Sequence, residues 1–204
     1  MNVFYVILTC DAYRPTRCEW QKDTWLKHVP RSVFLGCKER PDQNMVGWNT
    51  TDDYDSCPVK LMRFLQNYEL PEGIDWIVFA DDDTFMFPER LNALLFTLNP
   101  NRSLYVGSHC NDEWLYMSGG AGFVVSRTLF ERLREYTRSQ PDKVLHVAKY
   151  SDKSFGDWVF KCGGMHIVDD RFHGNFSETF AESCISCHYV TKDGMYFLNR
   201  FLPE

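Results

Sequence analysis

An α/β fold, a mixed central sheet flanked by helices, is what this sequence predicts, and three observations predict it. A β-branched apolar run at Val3–Leu8 is followed by helical spacing and then a second run at Val33–Leu35, the strand–helix–strand opening of an α/β sheet. The run Trp76–Ala80 is apolar at every position, as expected of a strand covered on both faces. Pro58 and Pro88 each stand where a helix can begin after a polar or strand-like segment. The length of 204 residues suits one substantial core, so a single domain over residues 1–204 is expected.

The elements follow in order. The first strand ends in the polar turn Thr9-Cys10-Asp11, with Pro15 beyond it. Trp20, Thr24 and Trp25 then mark a helix over about Thr16–Lys27. The polar tract Lys38–Asp55 reads as a loop, and Leu61, Phe64, Leu65 and Tyr68 form the buried face of a helix stopped by Pro71-Glu72-Gly73. After the Trp76–Ala80 strand comes a helix from Pro88 through Leu91, Leu94, Leu95 and Leu98. Strand-like Leu104–Val106, the run Trp114–Met117, a turn at Ser118–Gly122 into Phe123–Val125, and a helix over Thr128–Thr137 complete the reading.

Charge excludes one class of partner. Lys and Arg number 22 against 28 Asp and Glu, a net charge of −6 with no basic run longer than two, so polynucleotide binding is disfavoured. No stretch approaches 18 apolar residues and the N-terminal segment lacks a basic leader, which predicts a soluble, cytoplasmic chain without a membrane anchor. Eight cysteines argue the other way, toward an oxidising compartment. Asn49, Asn101 and Asn175 each open an N-x-S/T tripeptide.

The predicted central strand runs straight into Asp81-Asp82-Asp83. Ligands of open α/β sheets bind outside the carboxyl ends of the strands, and adjacent carboxylates repel unless something positive sits against them. Hard oxygen donors suit Mg²⁺ or Mn²⁺, which bridge phosphate oxygens. A phosphatase of the haloacid dehalogenase type also places Asp-x-Asp after an apolar strand, but near its N-terminus and with Thr or Val where Phe85 stands here. Cys184-Ile185-Ser186-Cys187-His188 satisfies a haem-attachment spacing, and Cys162 with His166 falls short of a zinc arrangement.

Several segments together resemble the family 31 glycosyltransferases, the group of fringe and the core 1 β1,3-galactosyltransferase. They are Lys22-Asp23-Thr24-Trp25, Asp75-Trp76 leading into Ala80–Thr84, Tyr116–Ser126 with its Met-Ser-Gly-Gly-Ala-Gly, Gly156-Asp157, Arg171-Phe172-His173 and Cys187–Val190 before Met195-Tyr196. The resemblance implies a GT-A fold and an inverting, metal-dependent transfer of a hexose from a UDP-sugar to a hydroxyl of a glycan or glycoprotein. Mn²⁺ (or Mg²⁺) would be the cofactor.

Carried onto this sequence, the resemblance puts Asp81 against the ribose and near the metal, Asp82 on the sugar, and Asp83 and His188 on the metal, with His173 as the alternative ligand. Thr9 and the loop through Asp11 would cradle the uracil, with Arg17 or Lys22 approaching the nucleotide. Asp157 would be the catalytic base. Gly119, Gly120 and Ala121, lacking bulk, would let backbone N–H groups reach the donor sugar, and Trp114 would stack on a sugar ring. A binder of nucleotide-sugars or glycans that has lost turnover is the competing reading.

Overall fold

A computed structural model describes residues 1–111, 115–140 and 149–203. Thirteen strands are assigned among them: β1 Val3–Leu8, β2 Ser32–Leu35, β3 Lys38–Arg40, β4 Met45–Trp48, β5 Trp76–Asp81, β6 Phe85–Met86, β7 Leu104–Gly107, β8 His109–Asn111, β9 Leu115–Met117, β10 Phe123–Ser126, β11 Met165–Val168, β12 Phe172–His173 and β13 Ser186–Cys187. The α-helices are α1 Glu19–Asp23, α2 Cys57–Asn67, α3 Pro88–Phe96, α4 Arg127–Ser139, α5 Ser151–Lys161 and α6 Lys192–Asn199.

Eight strands form the main sheet, in the order β11-β7-β10-β5-β1-β2-β4-β3. β5 lies inside it, parallel to β1 and antiparallel to β10. Its residues from Trp76 to Ala80 are all buried, because alternate side chains feed two separate cores. Trp76, Val78 and Ala80 enter one with Trp25 and Leu91, while Ile77 and Phe79 enter the other with Phe64 and Phe130. Two apolar layers explain why the β5 sequence shows no polar alternation.

The tract read as a loop from Lys38 to Asp55 contains structure. β4 adds to β2 in parallel, Phe34 opposite Met45, and β3 returns antiparallel to close that edge. Asn44 supplies the tight turn between them with φ 54°, a left-handed conformation that asparagine tolerates. Strands of three and four residues are too short to register as a period in the sequence. The predicted first helix is likewise broken: a π-helical turn at Arg14–Cys18 leads into α1 and then a 3₁₀ turn at Trp25–His28.

What positions the site is a second, three-stranded sheet, β12-β13-β6, laid across the carboxyl end of β5. β13 pairs with β6 through Ser186↔Met86 and Cys187↔Phe85, bringing the C-terminal segment against the acidic triplet. Among the described residues no helix is long and apolar enough to cross a membrane.

Candidate functional site

The triplet sits in a turn closed by Thr84, whose N–H donates to Asp81 O at 3.1 Å and whose hydroxyl donates to Gly120 O at 2.7 Å. Two side chains from the first helical segment hold the outside of this turn. Gln21 Nε2 donates to Asp81 O and Thr84 O at 3.0 and 2.9 Å, and Trp25 Nε1 donates to Thr84 O at 3.1 Å. Both Gln21 and Trp25 are fully buried, so the triplet's backbone is fixed by bonds that water cannot compete for.

The three carboxylates have different fates. Asp82 turns inward, accepting from Thr9 Oγ1 at 2.7 Å and Arg17 Nη1 at 2.9 Å. Arg17 also reaches Asp83 Oδ2 at 3.0 Å and stacks on the Tyr13 ring, 3.9 Å from its centroid. Asp83 Oδ1 lies 3.1 Å from His188 Nε2, and Asp81 Oδ2 lies 3.8 Å from the same nitrogen. One ligand atom from each of Asp81, Asp83 and His188 falls within 4.8 Å of the others.

Electrostatics follow from this layout. Burial pushes the Asp83 carboxyl up, but the bond to His188 and the charges of His188 and Arg17 outweigh it and bring the carboxyl below its usual range. Burial raises Asp82 despite Arg17 and Thr9. Among the described residues no fixed cation stands beside Asp81; burial, with repulsion from Asp83, Asp82 and Asp152, pushes it up to about 7 against the pull of His188. Its side chain is still 36% exposed, so water in the cleft moderates that rise. Burial lowers His188, and Asp83 then lifts it above its ordinary value.

His188 is held as firmly as the triplet. Its N–H donates to His173 O at 3.0 Å, the next residue's ring stacks on it at 3.8 Å, and Val190 N–H donates to Asp83 O at 2.9 Å. Tyr189 adopts φ 56°, a costly backbone for an aromatic residue and one that turns the chain here. Gly120 lies directly under the imidazole: a Cβ there would fall 2.0 Å from His188 Cε1. Any side chain at 120 would displace the ring.

A cleft of about 480 Å³ opens over this cluster, within the range of small-molecule sites. Thr9, Arg17, Asp81, Asp82, Asp83 and His188 line it, together with Tyr54, Lys60 and Tyr189. Lys60 is only 1% exposed, and its ammonium is held by Thr9 O at 3.0 Å and Asp52 Oδ1 at 2.8 Å.

Other expected site residues lie elsewhere. Asp157 is on α5, but its carboxylate accepts from Lys161 Nζ at 2.6 Å, one turn along the same helix, and is not part of the cleft lining. Lys22 turns its ammonium to Glu19 at 2.9 Å, above the Phe34 ring, away from the cleft. The Asp11 carboxylate is bound by Arg40 at 2.7 and 3.2 Å. His173 stacks flat on Phe180 at 3.9 Å and is not in the ligand group. Three of the turn's backbone donors are engaged by the protein: Gly119 N–H by Asp152, Ala121 N–H by Ser118 and Gly122 N–H by Gly119 O. Its small residues make room for His188 and Met86. Trp114 lies outside the described residues. A haem on Cys184 and Cys187 is unsupported: both sulfurs are fully buried and His188 faces the carboxylates.

Asp152 emerges instead. It lies in the first turn of α5, accepts from Gly119 N–H at 3.2 Å, and contributes to the field at both Asp81 and Tyr54. Its neighbour Ser151 lines the cleft. α5 begins at Ser151 after Tyr150, which makes no side-chain cap, so the usual helix-start signal that would have marked Asp152 is missing.

Two carboxylates and one imidazole converging on a partly open point, one carboxylate lacking a permanent cation, fit a hard divalent ion. Comparison with known proteins agrees on the fold. A glycosyltransferase involved in glycosylation of the major capsid of PBCV-1 superposes with a TM-score of 0.58 at 15% identity, covering 97% of this chain and 98% of that one. The galactosyltransferase LgtC, solved with donor and acceptor sugar analogues, gives 0.58 at 10% identity, covering 100% and 97%. These are GT-A enzymes, and this chain has the GT-A fold.

In sequence, the chain is 28% identical over 242 residues to glycoprotein-N-acetylgalactosamine 3-beta-galactosyltransferase 1 of Xenopus laevis, covering 99% of this chain and 66% of that protein. It is 23% identical to the beta-1,3-N-acetylglucosaminyltransferase radical fringe of Gallus gallus, covering 63% of this chain and 41% of the relative. The chain thus spans about two thirds or less of the length of these relatives. The Fringe-like family model matches residues 1–159, over three quarters of the sequence, and the protein belongs to that family.

Proposed function

We propose that this protein is an inverting glycosyltransferase that moves a hexose from a UDP-sugar to a hydroxyl of a glycan or glycoprotein. The observation that carries the reading is the convergence of Asp81, Asp83 and His188 at the carboxyl end of β5, inside a cleft large enough for a nucleotide-sugar. Galactose is the donor sugar favoured by the Xenopus relative's name. The same name and that of the chick relative favour a β1,3 linkage.

In this reading Asp81, Asp83 and His188 hold Mn²⁺ or Mg²⁺. When bound, that cation neutralises the charge developing on the departing diphosphate. Arg17, fixed by Asp82, Asp83 and Tyr13, presents a cation at the same end of the cleft. Thr9 and Lys60 form the wall where the nucleoside would rest. We assign the acceptor proton to Asp152, which is held at the Gly119–Gly122 turn through Gly119 N–H, adds to the field at Asp81 and follows the cleft-lining Ser151. Asp157, committed to Lys161, does not serve this step.

The test is UDP release from a panel of UDP-sugars with Mn²⁺, with and without a chelator, for the natural protein and for Asp83→Ala, Asp152→Asn and Asp157→Asn. Chelator-sensitive release that disappears in the first two variants and persists in the third supports the reading. Full turnover in Asp83→Ala overturns the metal site, and full turnover in Asp152→Asn overturns the base. UDP-sugar binding without release from any donor favours a binder that lacks turnover.

A further inference from the structure

The Cys184-x-x-Cys187 pair plays no part in the proposed reaction, yet the fold brings its two sulfurs together. Sγ of Cys184 lies 3.4 Å from Sγ of Cys187, and both side chains are fully buried. Other cysteines have other partners: Cys18 contacts Thr9 Oγ1 at 3.3 Å, and Cys162 contacts Arg132 O at 3.6 Å.

Both backbone positions in the pair are anchored. Cys184 O accepts from Arg90 Nη1 of α3 at 2.8 Å, Ile185 N–H donates to Arg171 O at 2.7 Å, and Cys187 pairs with Phe85 across β13 and β6. The residue after Cys187 is His188.

We propose that Cys184 and Cys187 are a modification site: they form a reversible intrachain disulfide that clasps the segment carrying His188. The sulfurs need to close from 3.4 Å to about 2.0 Å. That is within reach of side-chain rotation, with the backbone held by the bonds above.

A small-molecule disulfide is the oxidant. One cysteine, as thiolate, attacks a sulfur of that disulfide and releases one thiol, and the second cysteine displaces the other. Two protein S–H bonds and the S–S bond of the small disulfide break and one protein S–S bond forms; the two protons and two electrons end on the two small thiols released. Because the thiols are buried, attack requires β13 to lift from β6, so the rate tracks opening of the three-stranded sheet. Once formed, the bond limits that opening and keeps the imidazole facing Asp83.

The test uses the whole chain equilibrated in mixtures of reduced and oxidised glutathione, quenched with acid, unfolded, alkylated and mapped by peptide mass. The expected result is a peptide containing both Cys184 and Cys187, lighter by two hydrogens and carrying no alkyl group, while the other cysteines are alkylated. Cys184→Ala and Cys187→Ala each abolish that species. Complete alkylation of both residues under oxidising mixtures, or a bond from either one to another cysteine, overturns the proposal. Mn²⁺ titration of the oxidised and reduced forms is a second readout, which rests on the metal-site reading. Severalfold tighter binding by the oxidised form supports the clasp, and equal affinities overturn its hold on His188. No Mn²⁺ binding by either form counts against the metal site, leaving the disulfide to be judged by mass alone.

Discussion

Among the described residues, two clusters bring acidic side chains close enough to share an ion, and they differ in one respect. At Asp81, Asp83 and His188 the donor atoms converge, and so do those of Asp11, Cys37 and Asp52. In the second cluster every carboxylate already has a cation: Arg40 is 2.7 Å from Asp11, and the buried Lys60 is 2.8 Å from Asp52. In the first, Arg17 serves Asp82 and Asp83, and among the described residues Asp81 is left facing the cleft with a titratable imidazole as its nearest positive group. Carboxylates already paired to lysine and arginine join loops together; a carboxylate left without one is available to a ligand.

Replacing a ligand in the first cluster sharpens the contrast most. Asp83→Ala should remove several kcal/mol of leaving-group stabilisation, on the order of a thousandfold in rate, and should also lower thermal stability because its ion pairs with Arg17 and His188 are lost. Mn²⁺-dependent UDP release and a melting curve together check this. Asp152→Asn should lower kcat by about 100- to 10,000-fold with little change in KM, whereas Asp157→Asn should leave turnover largely intact. Steady-state kinetics on the pair decide which aspartate is the base. Gly120→Ala should push His188 aside and weaken Mn²⁺ binding by roughly 10- to 100-fold, read by calorimetry.

Protons should compete with the ion at the first cluster. In the free protein Asp81 is raised to about 7 and His188 is lifted by Asp83, so both carry protons on the acid side of neutrality. A cation needs Asp81 ionised and His188 neutral, so affinity should rise with pH through this range, by about tenfold per unit for each proton displaced. Titrations between pH 6 and pH 8, an interval of about two units around those groups, check the sign. The smallest effect belongs to the second cluster. Asp52→Asn leaves the Lys60 ammonium with Thr9 O but no carboxylate, which should cost roughly 2 kcal/mol of stability in denaturant unfolding, without abolishing ion binding at the first cluster.

Much of this was legible in the sequence where patterns are long. The β5 run and its terminal triplet announce themselves because five consecutive residues share one environment, and α2 and α4 because their apolar spacing spans several turns. β6, β12 and β13 have two residues each, and no period exists in two residues, so the small sheet that delivers His188 was invisible. The histidine was found through its resemblance to a family motif, and the structure distinguishes it from His173 by ring position alone. Asp152 carried no signal in the sequence because its helix lacks a capping side chain, whereas Asp157 was marked by a matching glycine beside it; the choice between them as base rests on the proposed reaction. The role of Gly120 depends on an imidazole far along the chain, a relation that only folding creates.

The hydrogen bonds from Val190 N–H to Asp83 O and from Ser186 Oγ to Ala121 O join the last part of the sequence to its middle. The stretch matching the family model stops at residue 159, well before the imidazole. A protein trimmed to that stretch would retain the paired aspartates without their nitrogen partner and without β12 and β13 to cover them. Anyone designing a minimal version of this protein should therefore treat the final forty-odd residues as part of the site, not as a dispensable tail.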